Sequence, residues 1–359
     1  MTDKIRVVVV GYGNMGFSHA VAYNQLDGFE LIGIVGRNQK RLSLAAQKLN
    51  LPPDRQFCSF DSAIKILKPD AVSICTYPDT HAEFALKALA SGIHVFVEKP
   101  IAQTVTQARQ IVRLANKKKK KVVVGYILRH HPVWIKFIEI ARSLGKPLVM
   151  RMNLNQQSSA DKWFCHKQLM NSMSPIVDCG VHYVDVMCQM TQSRPLRVHA
   201  IGARLTDEIK PDMYNYGHLQ VTFEDSSVGW YEAAWGPMVS ETAFFVKDVI
   251  GPKGCVSIVE RQSNSKAGSA DIESHTKTNR LRIHSSQLGP DGNFINQDAF
   301  IDTTDEPSHQ QLCNLEQAFF LKAIMENLDL SGHLDDAVNS LRIVLAADKS
   351  VRFGKVVNL

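Results

Sequence analysis

The chain contains no apolar run approaching the ~18 residues that a membrane span needs. The Val7–Val10 stretch near its start is too short for a signal-peptide core, and no small-residue cleavage site follows it. Neither a span nor a cleaved leader is expected. Seven cysteines occur (Cys58, Cys75, Cys165, Cys179, Cys188, Cys255 and Cys313), with no Cys-x-x-Cys pair among them. An odd number with that spacing predicts neither a disulfide framework nor structural zinc. Each thiol reads as a small buried apolar residue in a reducing, cytoplasmic setting. The Walker phosphate loop and the Gly-x-Ser-x-Gly elbow are both missing, which argues against an NTPase and against an α/β-hydrolase. No internal repeat is visible.

A broad excess of one charge is also lacking. Lys and Arg number 41 against 35 Asp and Glu, a net +6, but five of these positives are the single run Lys117–Lys121. Without that run the balance falls to +1, so no nucleic-acid partner is expected. The run sits at the predicted end of a helix, before Val122, where cations meet the negative end of the helix dipole. What remains is ordinary: 359 residues, 45% apolar and 21% charged. At ~150 residues per domain this length suggests two domains.

Up to about residue 125, short apolar runs alternate with amphipathic segments. Strands are predicted at 7–10, 31–35, 71–75, 94–97 and 122–124, and helices at 15–26, 39–49, 81–91 and 105–118. Such alternation implies right-handed βαβ units and a parallel sheet covered on both faces. After Tyr126 the pattern changes. A helix at 132–144 leads into strand-like runs at 148–154, 196–203, 217–223, 227–234, 242–250 and 256–259, with a hairpin turn over 223–227. This predicts a mostly antiparallel sheet. A polar loop at 261–278 and helices near 311–327 and 335–350 complete the chain.

Gly11-Tyr12-Gly13-Asn14-Met15-Gly16 is a G-x-G-x-x-G loop that follows the first strand and opens a helix. In that context it reads as a dinucleotide loop. Gly11 allows the tight turn, Gly13 the close approach of the pyrophosphate, and Gly16 the packing of helix on strand. The acidic residue that usually binds the ribose 2′-hydroxyl about 20 residues on is absent, and Gly36-Arg37-Asn38 stands there. Arg37 could pair with a 2′-phosphate and Gly36 would leave room for it, which favours NADP(H) over NAD(H). Thr76-Tyr77-Pro78-Asp79-Thr80-His81 and Glu98-Lys99-Pro100 each follow a strand, on the ligand side of such a sheet.

With these segments in place the chain resembles the glucose–fructose oxidoreductase / inositol dehydrogenase / rhizopine catabolism (Gfo/Idh/MocA) family. The resemblance rests on the glycine loop, Thr76-x-Pro78-x-x-His81, Glu98-Lys99-Pro100, Gly125-Tyr126-x-x-Arg129 and Asp178-x-Gly180-x-His182-x-x-Asp185. It implies an α/β N-terminal Rossmann domain with a parallel sheet over 1–126. Over 127–359 it implies an α+β domain with a large, mostly antiparallel open sheet for substrate binding and oligomerisation. It also implies that the Lys99–Pro100 bond can be cis. One departure is the missing acidic residue. Another is Ser172-Met173-Ser174-Pro175, where the family often has a glycine-rich stretch.

The resemblance assigns Lys99 and His182 as the catalytic pair, with Asp178 orienting substrate hydroxyls or His182. Histidine suits proton transfer in either direction because its reference pKa is near neutrality, and Lys99 could stabilise a developing alkoxide. If 178–185 is helical, Asp178, His182 and Asp185 lie near one face; Asp185 reads as structural. Cofactor contacts are expected from Gly11, Gly13, Asn14, Met15, Gly16, Gly36, Arg37, Thr76, Tyr77, Pro78, His81, Glu98 and Lys99. Substrate contacts are expected from Tyr126, Arg129 and Trp163, although a salt bridge suits Arg129 equally and packing suits Trp163. No metal is expected: His130-His131 and Cys165-His166 lack further spaced ligands. The expected activity is NAD(P)-dependent hydride transfer at a carbinol or carbonyl carbon of a sugar, cyclitol or related polyol, in a homodimer or homotetramer. A catalytically silent NAD(P)-binding regulator and an NAD-dependent glycosidase are the alternatives.

Overall fold

The β-branched run at the start of the chain forms a strand whose last four residues, Val7 to Val10, are buried, as a strand covered on both faces requires. The computed structural model describes residues 4–240, 246–259, 268–271, 276, 278–303 and 305–359. Two compact units result: Met1–Ile127 with Gln310–Val338, and Leu128–His309 with Asn339–Leu359.

The first unit is built from β1 (Ile5–Val10), α1 (Asn14–Gln25), β2 (Phe29–Val35), α2 (Gln39–Lys48), β3 (Gln56–Phe57), α3 (Phe60–Leu67), β4 (Ala71–Ile74), α4 (His81–Ala90), β5 (His94–Glu98), α5 (Val105–Lys118) and β6 (Val122–Gly125). The strands run in the order β3-β2-β1-β4-β5-β6, and every neighbouring pair is parallel. The order reverses between β1 and β4, the switch point where open α/β sheets bind ligands. Local signals set the helix ends. Thr104 and Gln107 form a capping box at the start of α5. Its last turn carries Lys117 and Lys118, and Lys119 closes it in the left-handed conformation at φ 53°.

The linear division at Tyr126 does not contain one feature of this unit. Phe320, Ala323 and Leu330, from far along the chain, share a core with Val7, Ile34 and Phe96. Phe320 lies 6.1 Å from both Phe29 and Phe96 between ring centres. Lys121, the last of the lysine run, donates to the Leu328 carbonyl at 2.5 Å in this returning segment.

The second unit contains α6 (Pro132–Ser143), β7 (Val149–Gln157), α7 (Ala160–Leu169), α8 (Pro175–Asp178), α9 (Gly180–Thr191), β8 (Pro195–Ala203), β9 (Tyr216–Phe223), β10 (Val228–Gly236), β11 (Lys247–Gly251), β12 (Gly254–Val259), β13 (Arg280–Ser285) and β14 (Ala299–Asp302). Helices α10 (His309–Met325) and α11 (Ser331–Phe353) and strand β15 (Val357–Asn358) follow. Nine strands form one sheet in the order β14-β13-β12-β11-β7-β10-β9-β8-β15. Only β7 and β10 pair in parallel among the described residues; the other pairs are antiparallel. On α9, the Tyr183 ring stacks on Tyr231 of β10 at 4.9 Å. The strand predicted at 242–250 is described from Lys247 on, and 242–245 lie outside the described residues. Most of the loop predicted at 261–278 also lies outside them.

Candidate active site

The glycine loop joins β1 to α1, and its shape is imposed by backbone crowding. Gly11 has φ +91°, and a Cβ there would lie 2.5 Å from the Cys75 carbonyl oxygen. A Cβ on Gly16 would lie 2.0 Å from the Gly11 carbonyl oxygen, so the helix comes too close to its own loop for any side chain. Gly13 is different: nothing lies within 4 Å of where its Cβ would be. It is the N-cap of α1, it provides no side-chain cap, and no acidic residue occupies the first turn. Asn14 and Met15 begin that turn. The terminal amides are therefore left for an anion. The pyrophosphate of NAD(P) fits this terminus, with open space at Gly13 for its approach.

The other two motif loops leave the C-terminal ends of β4 and β5, which lie next to β1 in the sheet. Pro78 starts a short 3-10 turn, and Tyr77 is exposed beside it. The Thr76 and Thr80 hydroxyls are 2.6 Å apart. His81 is buried and holds two loops together. Its Nδ1 is 2.8 Å from the Pro100 carbonyl and its Nε2 3.0 Å from the Thr76 carbonyl. Burial pushes its pKa below the usual value, against the pull of those two carbonyls. A neutral ring donates to one of them at a time. His81 thus clamps the Thr76 loop to the Glu98-Lys99-Pro100 turn, a role its expected place among the cofactor contacts did not anticipate. The Lys99–Pro100 bond is cis. Glu98 is buried, and its Oε2 accepts the Lys99 backbone N–H at 3.2 Å.

At the end of β2 the structure corrects one expectation. Gly36 does not leave open room, because the Tyr12 ring fills the space. A Cβ on Gly36 would lie 1.8 Å from Tyr12 Cε1. The Tyr12 hydroxyl donates to the Asn38 carbonyl at 2.9 Å, which fixes the ring there. Asn38 in turn caps α2 by accepting the Arg41 N–H at 3.1 Å. Arg37 is exposed at this turn.

In the second unit the 178–185 segment belongs to two helices rather than one. Asp178 ends α8 and His182 lies in the first turn of α9, with Cys179 between them still in helical conformation. The His182 N–H donates to the Cys179 carbonyl at 3.2 Å, so the path stays nearly helical. Ser174, in the segment that departs from the family pattern, caps α8 by accepting the Val177 N–H at 3.3 Å. Its hydroxyl donates to Asp348 Oδ1 at 2.6 Å, and Tyr214 donates to Ser174 Oγ at 2.9 Å. Burial raises the pKa of Asp348. This network fixes the helix that carries Asp178.

Around Asp178 lie residues that the spacing of motifs could not reveal. The Cys179 thiol is 3.5 Å from Asp178 Oδ2 and 3.6 Å from Gln156 Oε1, which also accepts the Trp235 indole N–H at 2.7 Å. His166 stacks flat on Trp235, 4.4 Å between ring centres and 8° between planes, and its Nδ1 is 2.9 Å from Ser158 Oγ. Burial lowers its pKa to about 4 although Asp178 pulls the other way. Elsewhere in this unit Lys247 is 2% exposed, donates to the Asn153 carbonyl at 3.0 Å and lies 5.5 Å from the centre of the Tyr183 ring. The sequence signal for His166 was only its place beside Cys165, where metal-ligand spacing was absent.

The three weaker substrate-contact candidates lie in paired or packed surroundings. Arg129 grips Asp185 with two hydrogen bonds, Nε to Oδ2 at 2.8 Å and Nη2 to Oδ1 at 2.6 Å, and Gln189 adds a third at 3.0 Å. This is the salt-bridge option for Arg129. Trp163 is buried, and its indole N–H donates to Glu208 at 3.2 Å, so packing describes it better than a free stacking face. Tyr126 is buried, with its ring 6.3 Å from that of His333. No helix among the described residues is long and apolar enough to cross a membrane.

Comparison with known proteins agrees with this architecture. The family model described as "Oxidoreductase family, NAD-binding Rossmann fold" matches residues 5–126. That of the "GFO/IDH/MocA C-terminal domain" matches residues 140–254. A UDP-N-acetylglucosamine 3-dehydrogenase of Acidithiobacillus ferrooxidans is 29% identical over 210 residues, covering 58% of this chain and 61% of the relative. An inositol 2-dehydrogenase of Paracoccus denitrificans is 29% identical over 148 residues, covering 41% of this chain and 44% of the relative. The match therefore spans between about two-fifths and three-fifths of these curated relatives' length. The crystal structure of an aldose-aldose oxidoreductase from Caulobacter crescentus, complexed with glycerol, superposes with a TM-score of 0.78. It covers 99% of this chain and 100% of that one at 19% identity, a likeness of fold alone. The chain belongs to the Gfo/Idh/MocA oxidoreductase family, with an N-terminal NAD-binding Rossmann fold.

Proposed function

We propose that the protein is an NAD(P)-dependent dehydrogenase or reductase acting on a CH–OH carbon of a sugar, cyclitol or related polyol. One observation carries this reading. Three loops, each rich in the groups such chemistry needs, leave the C-terminal ends of the adjacent strands β1, β4 and β5 at the switch point. The first presents an uncapped helix terminus for a pyrophosphate, and the third ends in the Glu98-Lys99 turn. In this reading residues 1–126 chiefly bind the dinucleotide and 127–359 chiefly bind substrate.

The bound nicotinamide supplies the hydride acceptor or donor. The chain's own residues handle the rest. In oxidation the hydroxyl proton must leave as the C–H hydride departs. His182 takes that proton, and the Lys99 ammonium donates a hydrogen bond to the oxygen as negative charge grows there. In reduction the same groups act in reverse. Asp178 orients a substrate hydroxyl, beside the wall formed by Gln156, His166 and Trp235. His81 and Pro78 shape the loop over the cofactor, and Arg37, exposed at the end of β2, favours NADP(H). The half-exposed face of the nine-stranded sheet, with Trp230 5.4 Å from His218 and Arg151 paired to Asp248, is the surface through which copies associate. A cytoplasmic setting fits the seven free thiols.

The reading is tested by following absorbance at the reduced-nicotinamide band with a panel of sugars and polyols and both cofactors. Turnover with at least one polyol is expected. Tight cofactor binding with persistent silence would replace this reading with the regulator. Aglycone release without net cofactor change would replace it with the glycosidase.

A further inference from the structure

Beneath the Glu98-Lys99 turn lies a chain of buried polar side chains that the proposed chemistry does not use. The Tyr23 hydroxyl donates to Gln317 Oε1 at 2.6 Å. With that oxygen occupied, the Gln317 amide nitrogen faces His19 and meets Nδ1 at 2.9 Å. An amide N–H can only donate, so Nδ1 is the acceptor and the ring's proton sits on Nε2. Nε2 then donates to Glu98 Oε1 at 2.7 Å. The other carboxylate oxygen of Glu98 accepts the Lys99 backbone N–H at 3.2 Å. The three bonds from Tyr23 to Glu98 all donate toward the carboxylate, which the Lys99 N–H meets from the other side, and Tyr23, Gln317 and His19 are all fully buried. The Phe96 ring closes against the His19 ring at 4.7 Å between centres. Opposite Glu98 in the sheet stands Gly125, where a Cβ would lie 3.2 Å from the carboxylate, so its place is kept clear from that side too.

We propose that Tyr23, Gln317 and His19 are positioning residues: a buried relay that holds the Glu98 carboxylate and, through it, the backbone of Lys99 in one place. The inference rests on the reading above, in which Lys99 meets the reacting oxygen. The relay explains why one long-range return of the chain matters to the site, since Gln317 comes from α10 while its partners come from α1 and β5. It also accounts for Glu316. Neither of its carboxyl oxygens has a hydrogen-bond partner among the described residues. Burial and the neighbouring Glu98 raise its pKa. Both causes favour the protonated form of Glu316. Ligand atoms of His19, Cys313 and Glu316 lie within 4.8 Å of one another, a spacing that could hold a metal. Both His19 nitrogens are already engaged, so a metal on that ring would have to break the relay.

The test compares His19→Leu with His19→Gln, whose side-chain amide can replace the Nε2 donor. Four quantities are read: kcat, KM, cofactor dissociation constant by fluorescence, and hydrogen exchange at the Lys99 amide. His19→Leu is expected to lower kcat about 10- to 100-fold with cofactor affinity within about 3-fold. It should also speed exchange at Lys99, and His19→Gln should recover most of both. In a Lys99→Ala background, His19→Leu should cost nothing further in kcat. Additive losses in that double variant, unchanged exchange at Lys99, or stoichiometric zinc in the purified protein would overturn the relay. If Lys99→Ala alone keeps full turnover, the role of Lys99 falls, and the exchange measurement still judges the relay. Should His19→Leu not fold, Tyr23→Phe carries the same readouts, because it removes one oxygen and keeps the ring.

Discussion

Tyr12 decides what the end of β2 can do. Its ring occupies the space that a Cβ at 36 would enter, so a Gly36→Asp change would disturb packing before it touched any phosphate. Arg37 is the cleaner probe. Arg37→Ser is expected to weaken NADP binding about 10-fold and NAD binding by less than about 2-fold, read by fluorescence titration. Equal effects on both cofactors would deny Arg37 a phosphate. The identity of the glycine loop was legible because its constraints are local: which backbone atoms crowd 11 and 16 follows from strand, turn and helix. The filling of Gly36 by Tyr12 was not, because the two positions meet only in the fold. Glu316 was equally invisible, one acidic residue on an amphipathic helix. Its raised pKa makes a signed prediction. The folded protein keeps a proton that the unfolded chain releases near pH 4.3. The stability from this group is full below that pH and is lost as pH rises. Relative to the parent, Glu316→Gln should therefore gain in urea midpoint from pH 4 to 8. A difference that stays flat over that range would contradict the assignment.

At the scale of elements, sequence periodicity located most strands and helices and missed several whose buried face is short or mixed. Phe60, Ala63 and Leu67 are the buried face of α3, an eight-residue helix capped by Ser59. It was passed over because so short a stretch gives little periodicity. Helix α7 was missed because its buried residues, Trp163 and His166, are too few to mark a face. Strand β13 mixes polar and apolar residues at half-exposed positions, and the four residues of β14 are mostly exposed, so neither shows a buried alternation. The change of grammar after Tyr126 shows in the sequence. The return of 310–338 does not, because an amphipathic helix does not announce which sheet it covers. The Arg129–Asp185 pair joins the turn after β6 to α9, with Asp185 1% exposed. Asp185→Ala leaves Arg129 without its main partner and should cost about 3 kcal/mol in denaturant unfolding. A loss below about 1 kcal/mol would mean that the pair is an ordinary surface bridge. Ser174→Ala removes the α8 cap and is expected to cost about 1 kcal/mol.

For the whole molecule, burial sets an acid limit to stability. His94, His130 and His166 are each pushed down to about 4, chiefly by burial, with the lysines 120 and 121 adding to the shift at His94 and Arg129 at His130. Between about pH 4.5 and 6.5 unfolding lets these three take up protons, while Glu316 and Asp348, whose pKa values burial raises, act in the opposite direction. The three histidines are joined by the buried His81, whose pKa is also lowered, and together they outnumber the two acids, so stability should rise with pH across that window. Urea unfolding that is flat or falling over the same range would show that the buried histidines are not neutral in the fold. Association through the open sheet face predicts a dimer or larger by light scattering, and a monomer would remove that role. The central claim, hydride transfer assisted by Lys99, is tested most directly by steady-state turnover of Lys99→Ala with its best polyol, alongside cofactor titration. Turnover lowered about 100-fold or more with cofactor binding retained is the result predicted here. Unchanged turnover would contradict it.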